Sequence, residues 1–265
     1  MKKRILITGA GSGFGEGVAF GLAKEGHEVI AGVYIWPQLT KMRKEAESRG
    51  LTNLRVEKLN ILDPFDVAMA AEWDIDILVN NAAIGFGGPV CEIPLDLVRR
   101  TFETNVFAGL NLSQKFIRRF VDEKRSGKIV FVSSIAGLAP VPGLGAYSAS
   151  KHALEAIAEA LQTELKSYGI QVQTINPGAY LTGFNDTMAE TSEHWMDDEK
   201  NFFKKDDLDK LVQPILSNQN DPQEAIDAMI SIIPEFSGNF RNVFPKSAEA
   251  LVKEVQEEAW DYKVS

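Results

Sequence analysis

The stretch Arg4-Ile-Leu-Ile-Thr-Gly-Ala-Gly-Ser-Gly-Phe-Gly15 joins a short apolar run to a loop in which every second residue is glycine. Arg4–Thr8 has the composition of a strand buried on both faces, and Gly15–Lys24 carries apolar positions at helical spacing. Gly9, Gly11, Gly13, Gly15 and Gly17 therefore fall where a strand turns into a helix. Glycine accepts positive φ there, and without a Cβ it lets backbone N–H groups approach an anion at the positive end of the helix. A dinucleotide pyrophosphate fits that geometry. The spacing, Gly9-x3-Gly13-x-Gly15, departs from G-x-G-x-x-G, so the weight rests on where the glycines lie rather than on the motif.

Outward from this loop the same order repeats. Strands are expected at Glu28–Tyr34, Leu54–Leu59, Ile75–Asn80, Lys128–Ser133 and Gln171–Ile175. Helices are expected at Gln38–Ser48, Leu95–Phe107, Leu110–Glu123 and Ala146–Tyr168, with a short one at Asp63–Ala71 and a helical Ser247–Trp260 near the end. Six strands alternating with helices predict a Rossmann-like α/β fold, a doubly wound parallel sheet with helices on both faces. No repeat or linker interrupts the 265 residues, so one domain is expected over 1–265. Within it, residues 180–215 form a substrate-covering segment, because Glu190–Lys210 is densely charged yet contains Trp195, Phe202 and Phe203.

Tyr147 and Lys151 are four residues apart at the start of a helical run and share one face. A free tyrosine titrates near pH 10, and a neighbouring ammonium favours the phenolate, which suits acid–base work. Such pairs also recur by chance on helix surfaces, so the neighbourhood must carry the argument. Ser133-Ser134 ends a central strand thirteen residues upstream, and Asn80-Asn81-Ala82-Ala83 ends the strand before it. Ligands of open α/β sheets bind at those ends, where a hydroxyl can stabilise charge developing on a substrate oxygen.

With these segments in hand, the chain resembles the short-chain dehydrogenase/reductase family. The matching pieces are Thr8–Gly15, Asn80–Ala83, Asn105, Ser133-Ser134, Tyr147-Ser-Ala-Ser-Lys151 and Pro177-Gly178 with Thr182, in the family's order across residues 3–185. The resemblance implies an oxidoreductase that moves a hydride between NAD(P) and a secondary alcohol or ketone. Tyr147 would be the acid/base, Ser134 the stabiliser of the substrate oxygen, and Lys151 the ribose ligand that lowers the Tyr147 pKa. Asn105 would hold a water of a proton relay. Gly9, Ser12, Gly13, Phe14 and Gly15 would take the pyrophosphate, Asn60 and Ile61 the adenine, Asn81 and Ala82 the adenosine side, and Pro177, Gly178 and Thr182 the nicotinamide. Ala83 stands where the family has a glycine, and Asn60 where it commonly has Asp. The second strand ends Gly32-Val33-Tyr34-Ile35-Trp36, with neither an acid for a ribose 2′-OH nor an arginine for a 2′-phosphate. NAD is favoured over NADP, since an unpaired phosphate dianion costs more than one missing hydroxyl hydrogen bond.

A net charge of −9 argues against nucleic-acid binding. Cys91 is the only cysteine, which excludes an intrachain disulfide, and Ile5-Leu6-Ile7 is too short to cross a membrane, so a cytoplasmic protein is expected. His27, His152 and His194 lack metal-ligand spacing, and no metal is expected. Leu110, Leu112, Phe116, Ile117 and Phe120 mark a helix that faces the core or another subunit, and the resemblance implies a homodimer or homotetramer. The expected partner is a small carbonyl or alcohol, probed by apolar walls near Ile84–Pro89, Ala136–Leu144 and Tyr180–Lys210. The alternative is a catalytically weak dinucleotide-sensing protein, against which the retained Tyr147 and Lys151 argue.

Overall fold

A computed structural model describes residues 1–263. Seven parallel strands form one sheet: β1 (Arg4–Thr8), β2 (Glu28–Val33), β3 (Leu54–Lys58), β4 (Ile77–Asn80), β5 (Gly127–Val132), β6 (Ile170–Pro177) and β7 (Arg241–Phe244). Their order, β3-β2-β1-β4-β5-β6-β7, reverses between β1 and β4 and opens a crevice at the carboxyl ends of those two strands. The first six strands lie where the sequence placed them. The seventh corrects the expected count: only four residues long, it pairs Arg241 opposite Thr174 at the sheet edge, too short to announce itself by composition.

Side-chain alternation divides the core. Ile5 and Ile7 point to one face and Leu6 to the other. The first face is covered by α1 (Gly13–Lys24), α2 (Trp36–Ser48) and α9 (Pro222–Ile232). The second is covered by α3 (Pro64–Ala71), α5 (Gly109–Asp122) and α6 (Gly145–Glu164), with Leu112, Phe116 and Phe120 wholly buried against it. The stripe read along Leu110–Phe120 is thus chiefly a core-facing one. The helix expected over Leu95–Phe107 is α4 only to Phe102; a π-helical turn at Glu103–Ala108 then inserts extra backbone before α5. Beyond β6 come α7 (Phe184–Glu190), α8 (Lys205–Leu216) and, after β7, α10 (Ala248–Glu258).

Helix α9 explains one of the alternating glycines. It begins at Asp221-Pro222, with the aspartate side chain accepting from the Gln223 N–H, and packs directly on α1. A side chain at Gly17 or Gly21 would run into Ile226 or Ile230. Gly17 therefore serves helix packing and not the ligand loop. The far end of α9 is held by Lys128, a buried residue of β5. Its ammonium donates to the carbonyls of Ile232, Ile233 and Glu235 at 3.1, 3.2 and 2.6 Å. Burial pulls this amine down to about 8, opposed by Glu235. Lys128→Met keeps the stem but orphans these acceptors, and is expected to cost about 2–3 kcal/mol in urea denaturation. Unchanged stability would show that the carbonyls need no ammonium.

Candidate active site

A cavity of about 800 Å³ occupies the carboxyl-end crevice and runs from the end of β3 past the glycine loop to α6. Gly9 and Gly13 have φ of 63° and 55°, a region that disfavours other residues. A Cβ on Gly9 would lie 2.7 Å from the Ala82 backbone, and one on Gly13 would touch Thr182 at 3.4 Å. Gly9 is therefore closed to a side chain by the Ala82 backbone, and Gly13 by its φ. Ser12 and Phe14 flank Gly13 at the start of α1, and Phe14 sets its ring edge-on to buried Tyr180, 5.4 Å away. Gly15 does not line the cavity. It lies behind the loop, where a Cβ would come within 2.6 Å of both the Gly9 carbonyl and the Asn81 amide.

The loop is tied to the end of β4 by Asn81 and Thr8. Asn81 Nδ2 donates to the Thr8 and Gly9 carbonyls at 3.0 and 3.1 Å, while Thr8 Oγ1 accepts from the N–H groups of Asn81 and Ala82. Asn60 and Ile61 line the cavity beyond β3, and Pro177, Gly178 and Thr182 line it beyond β6. Sequence reasoning missed Gln38 here. Its Oε1 accepts from the Tyr34 and Ile35 N–H groups at 3.2 and 3.3 Å, and its carboxamide fills the place a side chain at Gly11 would need. The signal available was a Gln three residues into a helix, reaching back to the amides before it. The nearby cations are already engaged: Lys41 with Glu16, Arg43 with the Val56 carbonyl and Lys58 with Asp66.

Ser134, Tyr147 and Lys151 converge on the cavity from two elements, the end of β5 and the first turns of α6. Ser134 Oγ accepts from the Ala136 N–H at 3.1 Å and donates to the Pro177 carbonyl at 3.3 Å. The Tyr147 ring is 7% exposed and tilts against Phe184, with centroids 5.7 Å apart. Lys151 lies 5.6 Å from the Tyr147 ring centroid and donates to the Val132 carbonyl at 2.9 Å. Burial pushes the Tyr147 phenol up to about 12, with the Ser134 side chain pulling the other way. Burial also draws Lys151 down to about 8, opposed by Glu155. In the protein alone, burial thus favours the neutral form of each group, and no depression of Tyr147 by Lys151 is resolved.

Asn105 is buried in the π-helical turn and does not line the cavity. Its amide donates to the Ile84 carbonyl at 2.8 Å and to Ser150 Oγ at 3.0 Å, and its oxygen accepts from the Ile84 N–H at 2.9 Å. It thereby fastens the loop after β4 to the helix that carries Tyr147 and Lys151. Opposite, the segment after Gly183 lines the cavity with Phe184, Asn185, Thr187, Met188 and Thr191, while Trp195, Phe202 and Phe203 lie outside it. Met188 occupies the space beside Gly85, its carbonyl accepts from the Gly87 N–H at 2.8 Å, and Trp195 Nε1 donates to the Gly87 carbonyl at 3.2 Å. Glu92 accepts from Asn201 Nδ2 and from the N–H groups of Phe202 and Phe203, at 3.1, 3.1 and 2.8 Å.

Desolvation works against the Glu92 charge, yet hydrogen bonds from Phe203, Asn201 and Phe202 hold the carboxyl below its ordinary value of 4.5. A depressed carboxyl stabilises its folded contacts above that ordinary value and releases them as pH falls through its folded one. Glu92→Ala is therefore expected to speed proteolytic nicking at 197–204 several-fold at neutral pH, and lowering the pH well beneath the ordinary carboxylate range should do the same to the wild type. Equal cleavage of variant and wild type would show that Glu92 does not hold the segment.

Residues 3–193 match the family model for short chain dehydrogenase. The uncharacterized oxidoreductase YusZ of Bacillus subtilis is 31% identical over 95% of this chain and 98% of its own length. L-xylulose reductase of Caenorhabditis elegans is 34% identical over 79% of this chain and 80% of its own. Among solved structures, a Burkholderia phymatum short-chain dehydrogenase/reductase in complex with NAD superposes with a TM-score of 0.82 at 23% identity, covering 100% of this chain and 98% of that one. A Burkholderia cenocepacia short-chain dehydrogenase in complex with NADP gives 0.74 at 23% identity, over 98% and 95% of the two chains. Fold, family model and full-length relatives agree that this chain belongs to the short-chain dehydrogenase/reductase family.

Proposed function

We propose that the protein transfers a hydride between a nicotinamide dinucleotide and a secondary alcohol or ketone, with Tyr147, Ser134 and Lys151 at the reacting end. The observation that carries this reading is the convergence of those side chains in the same cavity as a loop lined by Gly9, Gly11 and Gly13, of which Gly9 and Gly11 have no room for a Cβ. The cavity fits the dinucleotide. It is continuous from Asn60 and Ile61 to Lys151, and the N-terminus of α1 opens onto it with Ser12, Gly13 and Phe14. When bound, the nicotinamide supplies or takes up the hydride with its electron pair at the carbonyl carbon.

The chain's own residues do the rest. Ser134 can turn its hydroxyl from the Pro177 carbonyl to the substrate oxygen and stabilise charge developing there. Tyr147 breaks its O–H bond and gives the proton to that oxygen in reduction; in oxidation it takes the proton from the alcohol. Lys151 leaves the Val132 carbonyl for the nicotinamide ribose and steadies the phenolate that reduction generates. Asn105 has both amide hydrogens engaged, so we assign any hold on a relay water to its backbone and the spacing of Ile84 and Ser150 to its side chain.

Engagement of Lys41, Arg43 and Lys58 by other groups favours NAD over NADP, because a 2′-phosphate would find no uncommitted cation among them. Ile84, Phe86, Phe184 and Met188 wall the reacting end and favour a hydrophobic substrate. We read residues 1–265 as one domain whose 180–215 segment covers the substrate, in a cytoplasmic homodimer or homotetramer; Leu95 on α4 and Phe107 just before α5 are exposed apolar residues that suit such a contact. No helix of the described residues is long and apolar enough to cross a membrane.

Purified protein should change nicotinamide absorbance with at least one hydrophobic ketone or secondary alcohol from a broad panel. Tyr147→Phe should lower kcat at least about a thousandfold while leaving the dinucleotide Kd within a few-fold, and full activity in that variant would refute the assignment. A phenol near 12 stays protonated at neutral pH, and Lys151 near 8 loses its charge first as pH rises. Ketone reduction at sub-saturating dinucleotide is therefore expected to decline above about pH 8; a reduction rate that climbs through the same range would contradict this order.

A further inference from the structure

Glu155 sits one helical turn beyond Lys151 and is almost wholly buried, although nothing in hydride transfer calls for a third ionisable group on that face. Its carboxylate is the hub of a polar network that ties α6 to β6, to β7 and to the backbone of Ser134. Asn176 Nδ2, at the end of β6, donates to Glu155 Oε1 at 2.7 Å and to the backbone carbonyl of Ser134 at 3.2 Å. Thr174 Oγ1 donates to Asn176 Oδ1 at 3.0 Å and approaches Glu155 Oε2 at 3.5 Å. From the edge strand β7, Arg241 Nε donates to Glu155 Oε2 at 3.1 Å, and its outer nitrogen lies 3.8 Å from Glu159.

We infer that Glu155 is a positioning residue of the active site, which fixes the Tyr147–Lys151 helix against Ser134 through Asn176 and provides the buried negative charge opposite the Lys151 ammonium, with Arg241 as its counterion. This rests on the nicotinamide reading above and adds to it a residue that touches neither cofactor nor substrate. The hydrogen bonds carry the first role, and the one-turn spacing on α6 carries the second. A carboxylate removed from water needs donors on each oxygen, and here they come from β6 and β7, so α6 cannot slide along the sheet without breaking them. The same charge acts on its own helix: Glu155 raises Lys151 against the desolvation that lowers it. The charged groups facing Lys151 and Glu155 are then few: Tyr147 and Glu159 on the same helix and Arg241 from β7, while β5 and β6 present only the Val132 carbonyl, Thr174 and Asn176. The seventh strand thus has a task in the site, because it delivers Arg241.

The two variants should move the site in opposite directions. Glu155→Gln keeps the shape and removes the negative charge, which lowers the pH at which Lys151 loses its proton. Arg241→Gln removes the counterion at a half-exposed position and raises it. NADH and NADPH fluorescence titrations across about pH 6 to 10 read this without any substrate, because the ribose ligand must be an ammonium to bind well. For whichever dinucleotide binds more tightly, the midpoint at which affinity falls should lie about one unit below wild type in Glu155→Gln and above wild type in Arg241→Gln. If Glu155→Gln does not fold, the shift of Arg241→Gln alone decides the matter. Midpoints that coincide with wild type would overturn the role of Glu155 and leave the nicotinamide reading standing. Absence of dinucleotide binding at every pH in the wild type would instead remove that reading, and this inference with it.

Discussion

A buried ammonium is the constraint around which this active site is arranged. Lys151 is 2% exposed, and removing a cation from water is unfavourable unless its hydrogen bonds and charge are answered nearby. The Val132 carbonyl answers one hydrogen bond and Glu155 answers the charge from one turn away. Meeting those requirements brings the end of β5, the start of α6 and the end of β6 to fixed distances, and Tyr147 and Ser134 are carried into place by the same elements. In the protein alone the outcome is a pair of groups pushed toward neutrality. Ribose hydroxyls offered to Lys151 would favour its ammonium, and the positive charge of an oxidised nicotinamide would favour the Tyr147 phenolate.

The sheet order makes this arrangement possible. Reversal between β1 and β4 leaves a gap at the carboxyl ends, and the loop from β1 must cross it within a van der Waals contact of Ala82. Thr8 and Asn81 close the gap from below, which is why they hydrogen-bond to each other's backbone and leave the loop's outer surface to a ligand. Asn105 does the corresponding work on the other side. By interrupting the helix between α4 and α5 with a π-helical turn, the chain brings an amide into reach of both Ile84 and Ser150. Lys128 plays the equivalent part at the opposite end of the sheet, where it satisfies the carbonyls that end α9.

Much of this was legible from residue order alone, for definite reasons. Parallel strands covered on both faces are continuous apolar runs, so β1 to β6 stand out against the charged helices, and Gly9 and Gly13 mark positions whose backbone excludes a side chain. Relations between distant segments were not legible. Gly17 resembles its neighbours in the alternation, yet its partner is Ile226 on a helix more than two hundred residues away. Arg241–Phe244 has only four residues with which to signal a strand, and its worth lies in delivering Arg241 to Glu155. Spacing reveals that Lys151 is near Tyr147 but not how completely both are shielded from water. Gln38 escaped because its consequence falls on Gly11, across the cavity.

The central claim is that Lys151 is held on the Val132 carbonyl in readiness for a nicotinamide ribose, with Tyr147 and Ser134 already facing the reacting carbon. A crystal structure with NADH tests it most directly. The account predicts the pyrophosphate over Gly13 and the start of α1, Lys151 Nζ moved from the Val132 carbonyl to the ribose hydroxyls, and the nicotinamide ring beside Tyr147 and Ser134. A dinucleotide bound elsewhere, or one bound in the cleft with Lys151 still on Val132 and the ring turned away from Tyr147, would contradict it.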